Sequence, residues 1–418
     1  MSTDEIVLLL GSGGQPYREY LLSAAADTAA VWLLEGAEPT WQARYVRGAS
    51  VVPLLDRARL IPDREQLIKT ADELAATHKV IGAFSWDETL VVTAAHITDR
   101  LGLPGLTLDG VENCRNKHNT RQVLTAAGLV QPRFAYVTSV EEAASKAAEF
   151  GYPVVLKPRG MGASIGVIRA DGPDDVAHAF AVAEAGSYGG SPSYEGGVLV
   201  EEFLTGPEIS VDGAVVGGAY TPMFLAHKQI GLEPYFEEVG HVVDAADPLL
   251  SDEALLATLR TAHEALGVKD GITHTEVKLT PRGPAIVEVN ARLGGDLIPY
   301  LGKRATGIDP GRAAVAIATG RTPELAATKT TAVGIRFCYP PANGTVRAIH
   351  VPAEGTLPGL VETRAIVADG AVLRLPPDGY ITRYAYLIAE AATPAEVTAI
   401  LDEAAALVSI DLDGIPGD

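Results

Sequence analysis

From residue 5 to about residue 110, short apolar runs alternate with stretches of helical periodicity. The runs EIVLLLG, AVWLLE, SVVPL and KVIGAF have the length and composition of buried strands. Helical segments lie between and after them, near 17–30, 64–77 and 87–101. Alternation of this kind predicts a parallel α/β sheet. From about residue 111 the pattern becomes mixed α+β. A basic helix runs from Asn116 and Lys117 through Arg121 and Leu124, then come a strand VVLK at 154–157, a glycine-rich loop at 158–166 and a strand VIRA. After about residue 330 the strand-like runs TAVGIRFCYP, GTVRAIHV, LVETRAIV, AVLRLP and ITRYAYLIAEA follow one another. Thr393-Pro394-Ala395-Glu396 then reads as a capping box with Pro at the first helical position. The chain divides on this pattern into 1–110, 111–328 and 329–418, with the Gly/Ser-rich stretch 186–197 expected to be a mobile loop rather than a linker.

The segment ITHTEVKLTPRGPAIVEVNAR, residues 272–292, carries the most specific pattern. Two strand-like runs flank Pro281-Arg282-Gly283, which reads as a three-residue turn with Gly at the left-handed position. Pairing Thr280 with Pro284 sets Lys278 opposite Ile286 and Glu276 opposite Glu288. One face then presents His274, Glu276, Lys278, Glu288, Asn290 and Arg292. Thr275, Val277, Leu279, Ala285, Val287 and Val289 form a buried face. Like charges directly across a ladder repel, so the facing carboxylates make sense when a cation lies between them. All-oxygen ligands favour Mg2+, with Mn2+ as the alternative, over zinc or copper.

Composition narrows the partners. With 33 Lys and Arg against 53 Asp and Glu, the formal charge of -20 argues against a nucleic-acid partner. An anionic nucleotide would need basic residues gathered locally. The first residues, MSTDEIVLLLG, do not have the form of a signal peptide, and no apolar run reaches the length of a membrane span. The two cysteines, Cys114 and Cys338, are far apart and suggest neither a disulfide framework nor a zinc site. A soluble cytoplasmic protein is expected.

Three further segments bear on a nucleotide. Gly11-Ser12-Gly13-Gly14 follows the first strand and Glu35 ends the second, as in a dinucleotide-binding fold, but Pro16 stands where the third glycine belongs. A tight turn lining a substrate cleft is the better reading. In the loop Pro158–Gly166, Lys157 precedes the glycines instead of closing them, so this is not a Walker loop. A strand–loop–strand flap could lay backbone N–H groups over phosphates while Lys157 supplies charge. In VLVEEFLTGPEISVDG, residues 198–213, backbone groups beside Phe203 and Leu204 could read an adenine edge, and a carboxylate such as Glu208 could accept ribose hydroxyls.

In this order the pieces resemble the ATP-grasp superfamily, over about residues 1–410. The resemblance implies an ATP-grasp fold with an N-terminal Rossmann-like parallel α/β domain, a central nucleotide-binding domain and a small strand-rich C-terminal lobe. It implies that Lys117, Lys157 and the flap residues Gly160, Gly162, Ser164 and Gly166 meet ATP phosphates, Glu201, Phe203 and Leu204 the adenine, and Glu208 the ribose. Glu276, Glu288 and Asn290 would hold two Mg2+ ions, and Arg292 would stabilise the transferring phosphoryl group, with Lys157 offsetting charge on the same oxygens. The wording HTEVKL, EVNARLGGD and PYFEEVGHVV is similar to the L-amino acid ligases, which join a carboxylate to an amine through an acyl phosphate. That branch places His241 and His274 near the substrates. It also has Gly294 and Gly295 approach a carboxylate at the start of a helix from Asp296, a natural anion site. Amino acid substrates, and by analogy a homodimer, follow from it. The alternatives are a carboxylase-type enzyme activating bicarbonate, a purine-pathway ligase that uses formate or bicarbonate, and a non-catalytic nucleotide-binding regulator. Lys228 is the single basic residue in 218–245, where carboxylases carry several, and the intact Glu276, Glu288, Asn290 and Arg292 set argues for chemistry.

Overall fold

The computed structural model describes residues 4–56, 61–188 and 194–415, so part of the Gly/Ser-rich stretch, 189–193, lies outside the described residues. The strands Glu5–Leu10, Val31–Glu35, Gly48–Val51 and Lys79–Phe84 form a parallel sheet with Glu5–Leu10 and Val31–Glu35 in its centre. The first strand is apolar throughout because both its faces are covered. Val7 and Leu9 pack with Leu21, Leu22 and the helix Pro310–Ala318, and Ile6, Leu8 and Leu10 pack with Leu67, Ala71 and Ile97. The helix expected at 87–101 begins only at Val91, because Asp87 accepts hydrogen bonds from Thr89 N at 2.8 Å and Thr89 Oγ1 at 2.6 Å. That side-chain turn holds Asp87 and Glu88 out of the helix. Glu35 accepts from Ser12 N at 3.0 Å and Ser12 Oγ at 2.7 Å, so it closes the Gly11–Gly14 turn internally.

The flap belongs to a four-stranded antiparallel sheet, ordered Phe134–Val137, Val198–Glu202, Val154–Lys157, Ile168–Ala170, with the helices Val140–Phe150 and Val176–Gly186 on its back. A second antiparallel sheet has eight strands, in the order Gly283–Asn290, Gly271–Thr280, Glu208–Val216, Ala219–Gly231, Glu237–Asp244, Ala332–Cys338, Ala385–Ala391, Leu360–Ala365. Three of the five strand runs read after residue 330 therefore extend this sheet. The other two, as Gly344–His350 and Val372–Leu373, form a small sheet with Ser409–Asp413, a strand not anticipated from the pattern. The capping box forms on the helix Pro394–Ala405, with Thr393 and Glu396 each bonded to the other's backbone N–H. No helix among the described residues is long and apolar enough to cross a membrane.

The N-terminal sheet is locked to the rest where Gly82 meets the helix Pro310–Ala318. A Cβ on Gly82 would lie 2.4 Å from the Ala318 carbonyl oxygen. Gly82→Ala should therefore destabilise the protein by about 1–3 kcal/mol through forced separation of strand and helix, measurable by urea unfolding.

Candidate active site

The eight-stranded sheet and the four-stranded sheet face one another across an open cleft with about 1300 Å³ of empty space, open solvent included, and Glu88 of the N-terminal lobe backs it through Arg292. The hairpin 271–290 forms its floor. Glu276 pairs with Glu288 and His274 with Asn290, as the two-residue spacing predicts. Nearer the turn the expected register fails: Thr280 pairs with Gly283 instead of Pro284, and Lys278 with Ala285 instead of Ile286. Thr280 Oγ1 donates to Gly283 O at 2.7 Å and accepts from Arg282 N at 3.1 Å, which tightens the turn to two central residues. A β-bulge beside Val277 absorbs the difference and restores the carboxylate pair. Ile286 consequently points into the core, and Val287, expected there, lines the cleft.

At one end of the cleft lies a buried charge cluster. Glu201 receives Arg121 Nε at 2.7 Å, Arg121 Nη2 at 3.2 Å and Lys157 Nζ at 2.8 Å. Burial alone would raise the Glu201 carboxyl, but Arg121 and Lys157 outweigh it and hold it down at about 2. Lys157 is pushed down to about 8, by burial first and by the neighbouring Arg121 as well, against the pull of Glu201. Two cations share one carboxylate, so the pocket carries spare positive charge. Phe203, Leu204 and Phe236 add an apolar wall, and Glu208 is held by Lys228 at 2.8 Å and Lys278 at 3.1 Å.

Of the flap residues read as phosphate contacts, Ser164 lines the cleft. Gly160, Gly162 and Gly166 do not. A Cβ on Gly160 would lie 2.2 Å from the Tyr194 ring, and Gly166 has φ +74° against Pro158, so these two glycines shape the loop. Lys117 ties the flap down: its backbone N–H donates to Arg159 O at 2.9 Å and its ammonium to Met161 O.

The middle of the cleft gathers oxygens. Glu276 accepts from Lys228 at 3.0 Å and lies 3.7 Å from His274 Nε2; Glu288 lies 3.2 Å from Lys117 Nζ. The Asn290 amide nitrogen donates to Glu288 Oε1 at 2.9 Å and to Glu88 Oε2 at 3.0 Å. The carboxylate oxygens of Glu276 and Glu288 and the Asn290 amide oxygen are the hard donors that a divalent cation such as Mg2+ prefers. The donor set thus fits Mg2+. Arg292 Nε pairs with Glu88 at 2.6 Å, and Arg115 with the same carboxylate at 2.9 Å. His274 sits between two carboxylates, with Nδ1 3.3 Å from the fully buried Asp212 and Nε2 facing Glu276 beyond hydrogen-bond distance. Burial opposes its charge, yet Asp212 and Glu276 raise it to about 9.

At the far end His241 is fully buried, its Nε2 3.4 Å from both Glu238 and Asp296. These three come close enough to hold a cation, but Arg383 already grips Asp296 with two bonds of 2.6 Å. The expected helix from Asp296 begins at Ile298, because Asp296 and Leu297 both have positive φ. The Gly294 N–H is taken by Asp212 Oδ1 at 2.8 Å and does not face a ligand; Gly295 lines the cleft. Glu88, Arg121, Asp212 and Arg383 were not singled out as site residues from sequence. Arg121 and Arg383 line the cleft, Glu88 and Asp212 bond to residues beside it, and each comes from a distant segment with no local spacing to mark it.

Residues 150–300 match the ATP-grasp domain model and residues 336–413 the L-amino acid ligase C-terminal domain 2. The chain is 28% identical over 347 residues to an uncharacterised protein of Sinorhizobium fredii, covering 81% of this chain and 70% of that one. It is 28% identical over 268 residues to the alanine–anticapsin ligase of Bacillus subtilis, covering 59% of this chain but 54% of the ligase. The L-amino acid ligase of Bacillus licheniformis shares its fold, with a TM-score of 0.79, 21% identity and coverage of 99% and 100%.

Removing Arg121 would leave Glu201 and two hairpin carbonyls short of partners. Arg121→Met is expected to destabilise the protein by about 3–5 kcal/mol, read from the denaturant midpoint.

Proposed function

Because the chain belongs to the ATP-grasp superfamily, in its L-amino acid ligase branch, we propose that it is an ATP-dependent ligase activating an amino acid or related carboxylate and joining it to an amine. ATP-grasp enzymes bind ATP with Mg2+. The observation that carries the proposal is the gathering of Lys117, Lys157, Glu201, Glu208, Glu276, Glu288, Asn290 and Arg292 around one cleft.

In this reading Phe203, Leu204 and the backbone near Glu201 take the adenine, Glu208 the ribose, and Lys117, Lys157 and Ser164 the phosphates. Glu276, Glu288 and Asn290 would hold two Mg2+ ions, which when bound offset charge on the phosphoryl oxygens. Arg292, braced by Glu88, faces the same group. A carboxylate oxygen of the acid bonds to the γ-phosphorus while the bond to ADP breaks. The amine then attacks the acyl carbon of the resulting acyl phosphate, inorganic phosphate leaves, and the amine gives up a proton. Val287, Ile230 and Phe236, on the cleft walls, help keep water from the acyl phosphate between the two steps. His241, Glu238, Asp296 and Arg383 shape the end where acid and amine meet.

Three measurements test this. ADP release should require an amino acid pair, and hydroxylamine should trap a hydroxamate of the activated acid; release that required bicarbonate instead would overturn the ligase reading. Glu288→Gln should lower turnover by several orders of magnitude without shifting the melting curve. Since Lys157 loses its proton as pH rises through about 8, MgADP affinity should fall by about tenfold between neutral and alkaline pH. Lys157→Arg, which keeps its charge, should flatten that fall.

A further inference from the structure

The turn Gly11–Gly14 feeds the helix Gln15–Ala26, whose first turn carries Arg18. Arg18 Nη1 donates to Gly294 O at 3.3 Å, and among the described residues its guanidinium makes no ion pair. Arg18 does not itself line the cleft, but the Gly294 carbonyl that it bonds precedes Gly295, which does, and it differs from the cations of the cleft wall. Lys117, Lys157, Lys228, Lys278, Arg292 and Arg383 each have a carboxylate within 4 Å. Burial works against the Arg18 charge, and so does the Arg292 guanidinium, while Asp87 and Asp296 favour it from beyond ion-pair distance. Nearby, the buried Tyr20 hydroxyl also lacks a partner. The stem of Arg18 fits because residue 13 is Gly: a Cβ there would lie 2.8 Å from Arg18 Cγ.

A guanidinium without its own carboxylate, held two residues along the chain from Arg292 by its bond to Gly294 O, is stabilised when an anion arrives. We propose that Arg18, contributed by the N-terminal lobe, binds an oxyanion at the reacting end of the cleft together with Arg292. The ligand chemistry is a phosphate or carboxylate oxygen: the phosphoryl group of the acyl phosphate, or the carboxylate from which it is made. The Gly294 carbonyl anchors the guanidinium, and its remaining N–H groups serve the anion. This inference rests on the ligase reading and adds a binding residue to it.

The test uses the full chain loaded with MgADP, comparing wild type, Arg18→Met and Arg18→Lys. Calorimetric titration with inorganic phosphate should show affinity at least tenfold weaker in Arg18→Met, partly restored in Arg18→Lys, with MgADP affinity within twofold throughout. A second arm follows the melting shift caused by a pool of the standard L-amino acids in the presence of Mg2+ and a non-hydrolysable ATP analogue. Loss of that shift with unchanged phosphate affinity would support the proposal with carboxylate as the anion. If both arms were unaffected by Arg18→Met, or if MgADP-loaded wild type responded in neither arm, the proposal would be overturned. Failure of wild type to bind MgADP at all would instead overturn the ligase reading, and this inference with it.

Discussion

The cleft depends on one buried guanidinium. Arg121 gives Nε and Nη2 to Glu201, Nη1 to Gln131 Oε1 at 2.9 Å and to Ile286 O at 2.8 Å, and Nη2 also to Val287 O at 2.8 Å. It therefore joins the strand Val198–Glu202 of one sheet to the strand Gly283–Asn290 of the other. The two carbonyls it takes belong to the hairpin bulge, where the ladder leaves backbone groups without strand partners. The bulge sets Glu276 opposite Glu288, and Arg121 satisfies the bulge. The register of the oxygen cluster and the seating of the four-stranded sheet are fixed by the same side chain.

A chain with formal charge -20 has to build a home for a polyanion from few cations. It does so by holding most of them against carboxylates, so that Lys228 touches Glu208, Glu238 and Glu276 at once. Paired charges stay in place, and the cost of burying them is offset locally. Around Glu201 the count tips to two cations for one carboxylate, which is the end read as meeting nucleotide.

Much of this was legible because it is local. Two-residue alternation placed Glu276, Glu288 and Asn290 on one face, and turn and cap chemistry marked the C-terminal helix. The same reasoning misplaced the hairpin turn by one residue and still paired the right glutamates, because the bulge cancelled the slip. Sequence spacing does not report a bulge whose stabilising partner, Arg121, lies some 165 residues away. Glu88 escaped notice because the turn at Asp87, which frees it from a helix, looks in sequence like that helix's first residues. Gly294 was read as an anion contact, whereas its N–H is claimed by Asp212 from another strand. Long-range polar partners are where reading by period stops.

The eight-stranded sheet has a mechanical meaning. Its hydrogen-bonded ladders run from the hairpin floor to Leu360–Ala365, binding three of the strands after residue 330 to the oxygen cluster as one slab. Such a slab does not hinge across its own ladders. The four-stranded sheet is a separate ladder, joined to the slab by the connections at 126–134 and 202–208 and fastened to it by Arg121, which bonds to strands of both sheets.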